Sequence, residues 1–396
     1  MKKRIVLAYS GGLDTSVCVP WLIDKGYEVV CFMADVGQGQ DIEPAVERGK
    51  IAGASKIIVG DLKQEFITDY IWPAFKANAL YENKYNLATA LSRPLIAKAL
   101  VRVAHDEDCN AIAHGCTGKG NDQVRLDMGV QTLDANLEIL APVRDWELKS
   151  REQEIAYAEA RNIPIDVTKK SIYSIDQNLW GVSIECGVLE NPWQAPPADC
   201  YLWTQGAEDR NPKNREIVIT FEKGLPVALD DKSMAPMELI QYLNTLGSEY
   251  GIGRVDLVEN RFVGIKSREI YESPAAEILM KAHQDLESIT LDRMLCQYKH
   301  NVSQTYAKLV YEGYWFTDLK RSLDAFIDQT QAKVNGEVRV LLTKGASIVN
   351  GRKSTNSLYK ETLATYTEED EFDQSLAKGF INLTALPFKH QGSHLV

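Results

Sequence analysis

The sequence predicts an α/β fold: a parallel, doubly wound sheet first, then an α+β domain and a helical C-terminal arm. Three observations support this prediction. Short apolar runs alternate with helical patterns up to about residue 168, turn-rich sequence then replaces that alternation, and a short amphipathic stretch closes the chain. Alternating strands and helices are typical of a parallel sheet with helices on both faces. The predicted domains are therefore 1–168, 169–362 and 363–396.

The first part of the chain contains five strand-like runs and five helical patterns. The strand-like runs are Ile5–Tyr9, Val29–Ala34, Lys56–Val59, Ala111–His114 and Ile163–Val167. The helical patterns are Thr15–Lys25, Ile42–Ala52, Gln64–Phe75, Arg93–Glu107 and Ser150–Asn162. Ser150 and Gln153 have the spacing of a capping box, whereas Pro20 removes one backbone hydrogen bond inside the first helix. In a sheet of this kind, ligands bind beyond the carboxyl ends of the strands.

The second part mixes strands and helices in a different order. Its strand-like runs are Glu216–Phe221, Val255–Val258, Val338–Leu342 and Ala346–Val349, and its helical patterns are Pro236–Leu246, Pro274–Leu286 and Thr290–Tyr311. The charged stretch Thr367–Asp373 leads into a tail in which four apolar residues stand at helical spacing: Phe372, Leu376, Phe380 and Ile381. One short helix cannot bury such a stripe alone, so we expect it to pack on another domain or subunit.

Composition excludes several classes of protein. Lys and Arg number 44 and Asp and Glu 55, and the net charge of −11 argues against a dedicated nucleic-acid binder. The seven cysteines form no Cys-x-x-Cys pair, so neither a zinc site nor a dithiol motif is visible, and we expect reduced thiols. The apolar run at Ile5–Tyr9 is broken at once by Ser10, and no run is long enough to span a bilayer. We therefore expect a cytoplasmic protein that binds no membrane.

The segment after the first strand has the residue types of a phosphate-binding loop. It consists of Ala8, Tyr9, Ser10, Gly11, Gly12, Leu13, Asp14, Thr15 and Ser16. The two glycines let the backbone approach an anion, and the N–H groups at the start of the helix point towards it. Asp14 would repel a bare phosphate, which suggests a Mg²⁺ ion or a role in ordering the loop. The alternative is an ordinary Gly-Gly turn with a capping Asp or Ser. The strand–loop–helix context favours the phosphate loop.

A second polar segment follows the strand-like run that ends at His114. It runs from His114 to Arg125 with the sequence His-Gly-Cys-Thr-Gly-Lys-Gly-Asn-Asp-Gln-Val-Arg. Composition alone favours a solvated loop, but its position at the carboxyl end of a neighbouring strand favours a site. Its hydroxyl and amide groups suit amino-acid carboxylates, and its carboxylate suits an ammonium group. For His114, a structural role at the strand end is the favoured interpretation.

The first loop resembles that of the ATP pyrophosphatases, which cleave ATP between the α and β phosphates and have an adenine nucleotide alpha hydrolase-like fold. The second segment resembles the signature Gly-x-Thr-Gly-Lys-Gly-Asn-Asp-x-x-Arg of the argininosuccinate synthase family. Further stretches agree with that family: Tyr85–Pro94, Asp176–Gly181, Gly253-Arg254, Glu259–Arg261 and Glu269–Pro274. The resemblance extends from the N-terminus past residue 310 and therefore covers most of the chain.

The resemblance implies a ligase of arginine biosynthesis that uses ATP as co-substrate, together with Mg²⁺, and assembles as a homotetramer. Citrulline and aspartate would condense to argininosuccinate with release of AMP and pyrophosphate. A ureido oxygen is a poor leaving group, and transfer of AMP to it gives a citrullyl-adenylate that the aspartate amine can attack. No enzyme nucleophile is required, so catalysis is mostly positioning and stabilisation of charge.

The resemblance also implies roles for individual residues. ATP would be bound by the loop from Ala8 to Ser16, by Ala34 at the adenine and by Gly115. Aspartate would be bound by Thr117, Asn121 and Asp122, and citrulline by Tyr85, Asn121, Arg125, Ser174, Ser183, Glu259 and Tyr271. This chain has Ala90 where some relatives carry Ser, and Thr89 beside it offers a hydroxyl that could replace the lost contact.

Three other functions are compatible with the first loop. A tRNA-thiolating enzyme would usually need a reactive pair of cysteines and a basic surface, and an amidotransferase-type synthetase would need a glutaminase domain. A nucleotide-binding sensor without turnover would need neither the second polar segment nor a large second domain. The sequence shows neither a cysteine pair nor an N-terminal cysteine, and it does contain that segment.

Overall fold

The computed structural model describes residues 3–39, 42–148, 150–164, 173–204, 212–389 and 391. The chain divides into two compact units, Met1–Asn356 and Ser357–Val396. The domain bounds 1–168, 169–362 and 363–396 stay predictions.

The first unit contains fourteen described strands and most of the helices. The strands are β1 (Lys3–Ala8), β2 (Tyr27–Asp35), β3 (Lys56–Asp61), β4 (Ala111–His114), β5 (Glu138–Leu140), β6 (Ser174–Asn178), β7 (Gly181–Glu185), β8 (Arg215–Glu222), β9 (Leu225–Leu229), β10 (Lys232–Ser233), β11 (Arg254–Asn260), β12 (Lys266–Glu272), β13 (Gly336–Thr343) and β14 (Ala346–Lys353). The longer helices of this unit are Leu13–Asp24, Ile42–Ile51, Ala88–Asp106, Asp122–Leu133, Arg151–Glu159, Pro236–Glu249, Pro274–Thr290, Arg293–Tyr311 and Asp318–Gln331. Shorter helical segments are Lys63–Glu65, Phe66–Ile71 (a π-helix), Trp72–Lys76, Pro142–Asp145, Gly187–Glu190 and Ala198–Cys200.

The first sheet has the order β3-β2-β1-β4-β5, and all of its strands are parallel. Ile5, Val6 and Leu7 of β1 are fully buried, as expected for a strand covered on both faces. Because β2 and β4 lie on opposite sides of β1, a crevice opens beyond the carboxyl ends of β1 and β4, where such sheets bind their ligands. The prediction of a parallel, doubly wound sheet is confirmed.

One strand of this sheet differs from the prediction. The fifth strand is β5, Glu138–Leu140, whereas the sequence pattern pointed to the run 163–167. Ile163 and Pro164 lie outside any strand, and 165–167 lie outside the described residues. β5 has only three residues and exposes Glu138, so it carries almost no apolar pattern.

Helix ends follow local capping chemistry. The hydroxyl of Ser150 accepts a hydrogen bond from the backbone N–H of Gln153 at 3.4 Å, as the predicted cap requires. The helix predicted from Thr290 begins instead at Arg293, because Oδ1 of Asp292 accepts from the N–H groups of Met294 and Leu295 at 2.9 and 3.1 Å.

Two antiparallel sheets follow, with the orders β10-β9-β8-β13-β14 and β11-β12-β7-β6. The second of these sheets carries most of the polar residues discussed below. Its pairing places Tyr271 of β12 opposite Ser183 of β7, and Ser183 opposite Asp176 of β6. On β11, Leu257 and Glu259 are buried and their neighbours are exposed, so Glu259 takes a core position that an apolar residue would normally occupy.

The second unit contains a short helix, Glu361–Ala364, and the predicted terminal helix, Ser375–Lys389. Phe372 lies before the terminal helix, whereas the helix itself carries Leu376, Phe380 and Ile381, which are 65%, 69% and 60% exposed. In the described part of the chain no residue of this helix is buried. Among the described residues its apolar stripe is therefore exposed. Among the described residues, no helix has the length and apolar character needed to cross a membrane.

Candidate active site

The loop after β1 connects the central strand to the start of a helix. The N–H of Tyr9 continues the sheet by donating to the carbonyl of Phe32 at 2.9 Å. Gly12 is the N-cap residue of the helix Leu13–Asp24, and no side chain caps that end. The first N–H groups of the helix therefore have no side-chain partner within the loop, and they form a ready site for an anion. The hydroxyls of Ser10 and Thr15 lie 3.1 Å apart and hold the turn together.

Gly11 occupies a position that no other residue fits. Its φ is +77°, and a Cβ atom there would lie 2.4 Å from the Cβ of Ala45. The carbonyl of Gly11 accepts a hydrogen bond from Arg48, which lies in the same helix as Ala45. The helix Ile42–Ile51 therefore packs directly on the loop and sets its conformation.

We expect Gly11→Ala to lower the free energy of unfolding by about 2–5 kcal/mol, because the left-handed backbone and the clash with Ala45 add together. Gly26→Ala is a matched control, since its φ is +92° but nothing lies within 4 Å of the added Cβ. That control should lose only about 1–2 kcal/mol. Urea unfolding of both variants measures the difference, and equal losses would show that Ala45 does not constrain the loop.

The loop after β4 lies against the loop after β1. A Cβ on Gly115 would lie 3.0 Å from Cγ2 of Thr15 and 3.7 Å from Cβ of Asp14. His114 is buried at the end of β4, where its Nε2 lies 2.7 Å from Oδ1 of Asp127 and its Nδ1 accepts from the N–H of Cys116 at 3.2 Å. Both ring nitrogens are therefore engaged, which agrees with the structural role favoured for this residue.

The residues from Asp122 to Arg125 form the first turn of a helix, whereas the sequence suggested a continuous polar loop. Asp122 lies between two guanidinium groups, 2.7 Å from Arg93 and 2.8 Å from Arg125. Burial by itself would raise the pKa of Asp122, but the two arginines outweigh it and lower that pKa to about 2. Asp122 is therefore ionised at neutral pH.

Arg125 is buried at the base of the site. Its Nε donates to the carbonyl of Tyr311 at 2.8 Å, and its guanidinium carbon lies 4.9 Å from the centre of the Tyr311 ring. Arg93, to which the sequence assigned no ligand, contacts both Asp122 and Asp176. Two arginines and two aspartates thus alternate along one wall of the site.

A cluster of tyrosines and carboxylates forms a second wall, which adjoins the first where Arg125 contacts Tyr311. Glu259 is only 2% exposed, and the hydroxyls of Tyr271 and Tyr311 lie 2.7 and 2.6 Å from its carboxylate oxygens. Burial and the nearby charge of Glu269 raise the pKa of Glu259 to about 7. The ring of Tyr85 stacks on that of Tyr271 with the centroids 4.0 Å apart. This wall can hold an ammonium group at Glu259, whose carboxylate lies among tyrosine hydroxyls.

Hydroxyl groups lie between the two walls. The hydroxyls of Thr89 and Ser183 are 3.2 Å apart, and Ser183 also donates to the carbonyl of Asp176 at 3.5 Å. The hydroxyl of Tyr85 accepts from the N–H of Thr89 at 3.0 Å, so the tyrosine ring is fixed against the start of the helix Ala88–Asp106. Ser174 is exposed at the beginning of β6, opposite Glu185.

The remaining predicted residues lie at the edges of the two loops. Ala34 is half-buried near the end of β2, and its carbonyl accepts from the side chain of Gln38 at 3.0 Å. Thr117 is exposed, whereas Asn121 is buried and its Oδ1 accepts from the N–H of Phe262 at 2.9 Å. Ser16 is fully buried, so its side chain packs in the interior beneath the loop that follows β1.

The cysteines do not supply a nucleophile. All seven are free, and none is paired with another. Cys116, the cysteine within the second loop, is half-buried, and desolvation together with the charge of Asp122 raises its pKa to about 12. A thiol with such a pKa stays protonated at neutral pH and is a poor nucleophile.

A crevice at the centre of a parallel sheet, with a glycine loop at a helix N-terminus and charged and hydroxyl side chains beside it, is the arrangement of a nucleotide-binding enzyme of the ATP pyrophosphatase class. Residues 4–164 match the family model described as the arginosuccinate synthase N-terminal HUP domain. Residues 173–391 match the model of the arginosuccinate synthase C-terminal domain.

Full-length relatives agree with these matches. The argininosuccinate synthase of Chlorobium limicola is 54% identical over 389 residues, which cover 98% of this chain and 97% of the relative. That of Staphylococcus carnosus is 54% identical over 387 residues, covering 98% and 96%. A solved complex of a 4-thiouridine synthetase with RNA and ATP aligns with a TM-score of only 0.30 at 16% identity, over 41% of each chain, and carries no weight. The chain belongs to the argininosuccinate synthase family. It is a ligase of arginine biosynthesis with ATP as co-substrate.

Proposed function

We propose that the chain condenses citrulline and aspartate to argininosuccinate, with ATP converted to AMP and pyrophosphate through a citrullyl-adenylate. The observation that carries this proposal is the contact between the two loops, in which Gly115 lies against Thr15. Because of that contact, a nucleotide on the first loop and an amino acid on the second share one crevice. The test supplies ATP with citrulline and aspartate, singly and together, and follows pyrophosphate. Release that needs citrulline supports the proposal, and release that ignores citrulline contradicts it.

In the first step, the ureido oxygen of citrulline attacks the α-phosphorus of ATP and pyrophosphate leaves. The proposed ATP-binding residues are Ala8, Tyr9, Ser10, Gly11, Gly12, Leu13, Asp14, Thr15, Ser16, Ala34 and Gly115. The N-terminus of the helix Leu13–Asp24 stabilises the negative charge on the departing diphosphate through its N–H groups and its dipole. Such fixed donors cost no reorganisation during the reaction, which makes them effective in phosphoryl transfer.

The phosphate loop also offers a carboxylate for Mg²⁺. Mg²⁺ usually takes one or two protein carboxylates together with substrate phosphates and waters. Within the described ranges, no group of three or more His, Cys, Asp or Glu side chains could hold a metal by itself. Asp14, in the first turn of the helix, fits an ion held mainly by the phosphates of ATP, and such an ion would neutralise part of their charge. Burial and the adjacent Asp14 raise the pKa of Glu154 to about 8, so near neutral pH this second carboxyl is largely protonated.

In the second step, the α-ammonium of aspartate loses one proton to solvent, the resulting amine attacks the ureido carbon, and AMP leaves with the ureido oxygen. We assign Thr117, Asn121 and Asp122 to aspartate. Asn121 is the N-cap residue of the helix Asp122–Leu133, and its side chain does not cap that helix, so the first N–H groups suit a carboxylate. Asp122 is ionised and suits the ammonium group of the incoming amino acid.

Citrulline is assigned to the two walls described above. Arg125 suits its carboxylate and Glu259 its ammonium group, while Tyr85, Asn121, Ser174, Ser183 and Tyr271 complete the set. Ala90 supplies no hydroxyl, but the hydroxyl of Thr89 lies 3.2 Å from that of Ser183 and can take its place. A free amino acid thus finds an opposite charge at each end.

The KM for citrulline should fall about tenfold between pH 6 and pH 8. Glu259 has a pKa of about 7, so its carboxylate is a minor species at pH 6 and the dominant one at pH 8. The ammonium group of citrulline needs the ionised form, and binding therefore strengthens as the pH rises. Steady-state kinetics across this range measure the effect. Glu259→Gln should raise the KM and remove its pH dependence, and a flat profile in the unmodified chain would contradict the assignment.

A homotetramer in the cytoplasm is part of the proposal. Its support is the exposed apolar stripe on the terminal helix, which a single described chain leaves uncovered. The net charge of −11 accords with small-molecule substrates and not with nucleic acid. The tRNA-thiolase alternative is not favoured, since the Cys116 thiol, with its raised pKa, is a poor nucleophile. A sensor without turnover is not favoured either.

Deletion of residues 367–396 should lower the order of assembly, because it removes the apolar stripe that needs a partner surface. Sedimentation velocity should show a smaller species than the intact chain. Lys378→Ala, on the same helix, is the control and should leave the sedimentation profile unchanged. A truncated chain that sediments as the same oligomer would exclude the helix from the assembly.

A further inference from the structure

We infer that Arg261 is a positioning residue that joins two parts of the site and so holds the two amino acids in a fixed relation. One part is the loop after β4 with Thr117 and Asn121, here called the aspartate loop. The other is the group around Glu259 and Tyr271, here called the citrulline pocket. The inference rests on the proposed function. Arg261 follows β11 directly and lies in the turn that leads to β12. Its side chain is only 10% exposed. A buried guanidinium can hold several acceptors at fixed angles, which the single ammonium of a lysine cannot do.

On one side, the turn at Arg261 holds the loop after β4. Nη1 of Arg261 donates to the carbonyl of Lys119 at 3.3 Å. The N–H of the next residue, Phe262, donates to Oδ1 of Asn121 at 2.9 Å. These bonds fix both the backbone of the loop and the side chain of Asn121. With its oxygen engaged, Asn121 directs its NH₂ group as the donor available to a ligand.

On the other side, Arg261 leads to the citrulline pocket through carboxylates. Its Nη2 contacts Glu185 and lies 2.8 Å from Oε1 of Glu269. The second oxygen of Glu269 lies 3.0 Å from the hydroxyl of Tyr271, which lies 2.7 Å from Oε2 of Glu259. A continuous path of polar contacts therefore runs from the aspartate loop to the carboxylate that we assign to the citrulline ammonium.

The single hydroxyl proton of Tyr271 cannot satisfy two carboxylates at once. Arg261 compensates Glu269, which leaves the tyrosine proton for Glu259. Removal of the cation would leave more negative charge beside Glu259 and would make that group harder to ionise. The other charged or titratable groups that face Glu259 are Arg125, Tyr81, Tyr85 and Tyr311.

The test compares Arg261→Lys and Arg261→Gln with Arg268→Lys. Arg268 lies on β12 of the same hairpin and is equally buried, but it pairs with Asp256 and with backbone carbonyls away from the site. We measure KM for ATP, citrulline and aspartate at pH 7.5 and the pH profile of the citrulline KM, with thermal unfolding as the check of folding. Arg261→Lys keeps the positive charge but loses the planar, forked guanidinium group, and Arg261→Gln loses both the charge and the guanidinium group.

We expect Arg261→Lys to raise the KM for aspartate and for citrulline together by about tenfold and to leave that for ATP within about twofold. Arg261→Gln should in addition move the pH midpoint of the citrulline KM upwards by about one unit. Arg268→Lys should change neither the KM values nor the pH midpoint of the citrulline KM. If Arg261→Gln does not fold, the KM values of Arg261→Lys alone decide the test.

Two results would overturn the inference: unchanged KM values in Arg261→Lys, or an equal rise in Arg268→Lys. Failure of the proposed function looks different, because the unmodified chain would then release no pyrophosphate with citrulline and aspartate.

Discussion

Asp14→Asn should lower pyrophosphate release by roughly 10²–10³-fold without loss of stability. The carboxylate lies in the first turn of the helix that begins at the phosphate loop, where it suits the Mg²⁺ of the nucleotide. It also raises the pKa of Glu154, so in the folded chain the charge of Asp14 opposes the ionisation of Glu154. Replacing Asp14 by an amide removes that opposition, and the free energy of unfolding at pH 7.5 should stay level or rise.

The control for this variant is Asp24→Asn at the other end of the same helix. Asp24 is exposed and binds Tyr157 and Arg161 at 3.0 and 2.8 Å. Its replacement should leave pyrophosphate release within about twofold and lower the stability slightly, as for a surface ion pair. Undiminished pyrophosphate release by Asp14→Asn would show that this carboxylate takes no part in binding or cleaving ATP.

Arg125→Lys should raise the KM for citrulline by about 10- to 100-fold, equivalent to ~1.5–3 kcal/mol for a charged hydrogen bond. The fork of Arg125 meets Asp122, the Tyr311 carbonyl and the Tyr311 ring, and a lysine cannot reproduce that arrangement. The KM for ATP should change by less than about threefold, because the phosphate loop does not contact this side chain directly.

Arg144→Lys provides the matched control. Arg144 lies near the same helix, where it pairs with Asp127 at 2.9 Å and donates to Gln123 at 3.1 Å, but we assign it no ligand. Its replacement should leave the KM for citrulline unchanged. An equal rise in the KM for citrulline and the KM for ATP in Arg125→Lys would show a general disturbance of the crevice and not the loss of one carboxylate contact.

The sheet and the two loops could be predicted from the sequence because their signals are local. Apolar runs mark β1 to β4, and the glycines of the first loop reveal the need for close approach of the backbone. Local signals also misled in places. The helix predicted from Arg93 begins instead at Ala88, and Pro94, a residue more usual in the first turn, is buried in its interior. The many apolar contacts of that helix offset the hydrogen bond that proline removes.

The walls of the site could not be predicted from residue patterns, because their contacts join distant parts of the chain. The hydroxyl of Tyr311 meets Glu259 across 52 residues, and Arg93 meets Asp176 across 83. Neither periodicity nor spacing encodes such pairs. Glu259 on its own could have been a solvated strand residue, and only its burial opposite two tyrosines marks it as unusual. The family resemblance supplied Glu259, Tyr271 and Arg125, whereas the parts played by Tyr311 and Arg93 emerge only from the fold.

Transfer of an isotopic label tests the central claim most directly. Citrulline labelled with ¹⁸O in its ureido group is supplied with ATP and aspartate, and the AMP product is examined by mass spectrometry. Attack of the ureido oxygen on the α-phosphorus predicts one ¹⁸O atom in each AMP and none in pyrophosphate. Unlabelled AMP, or products that consist of ADP and phosphate, would contradict activation of citrulline by AMP.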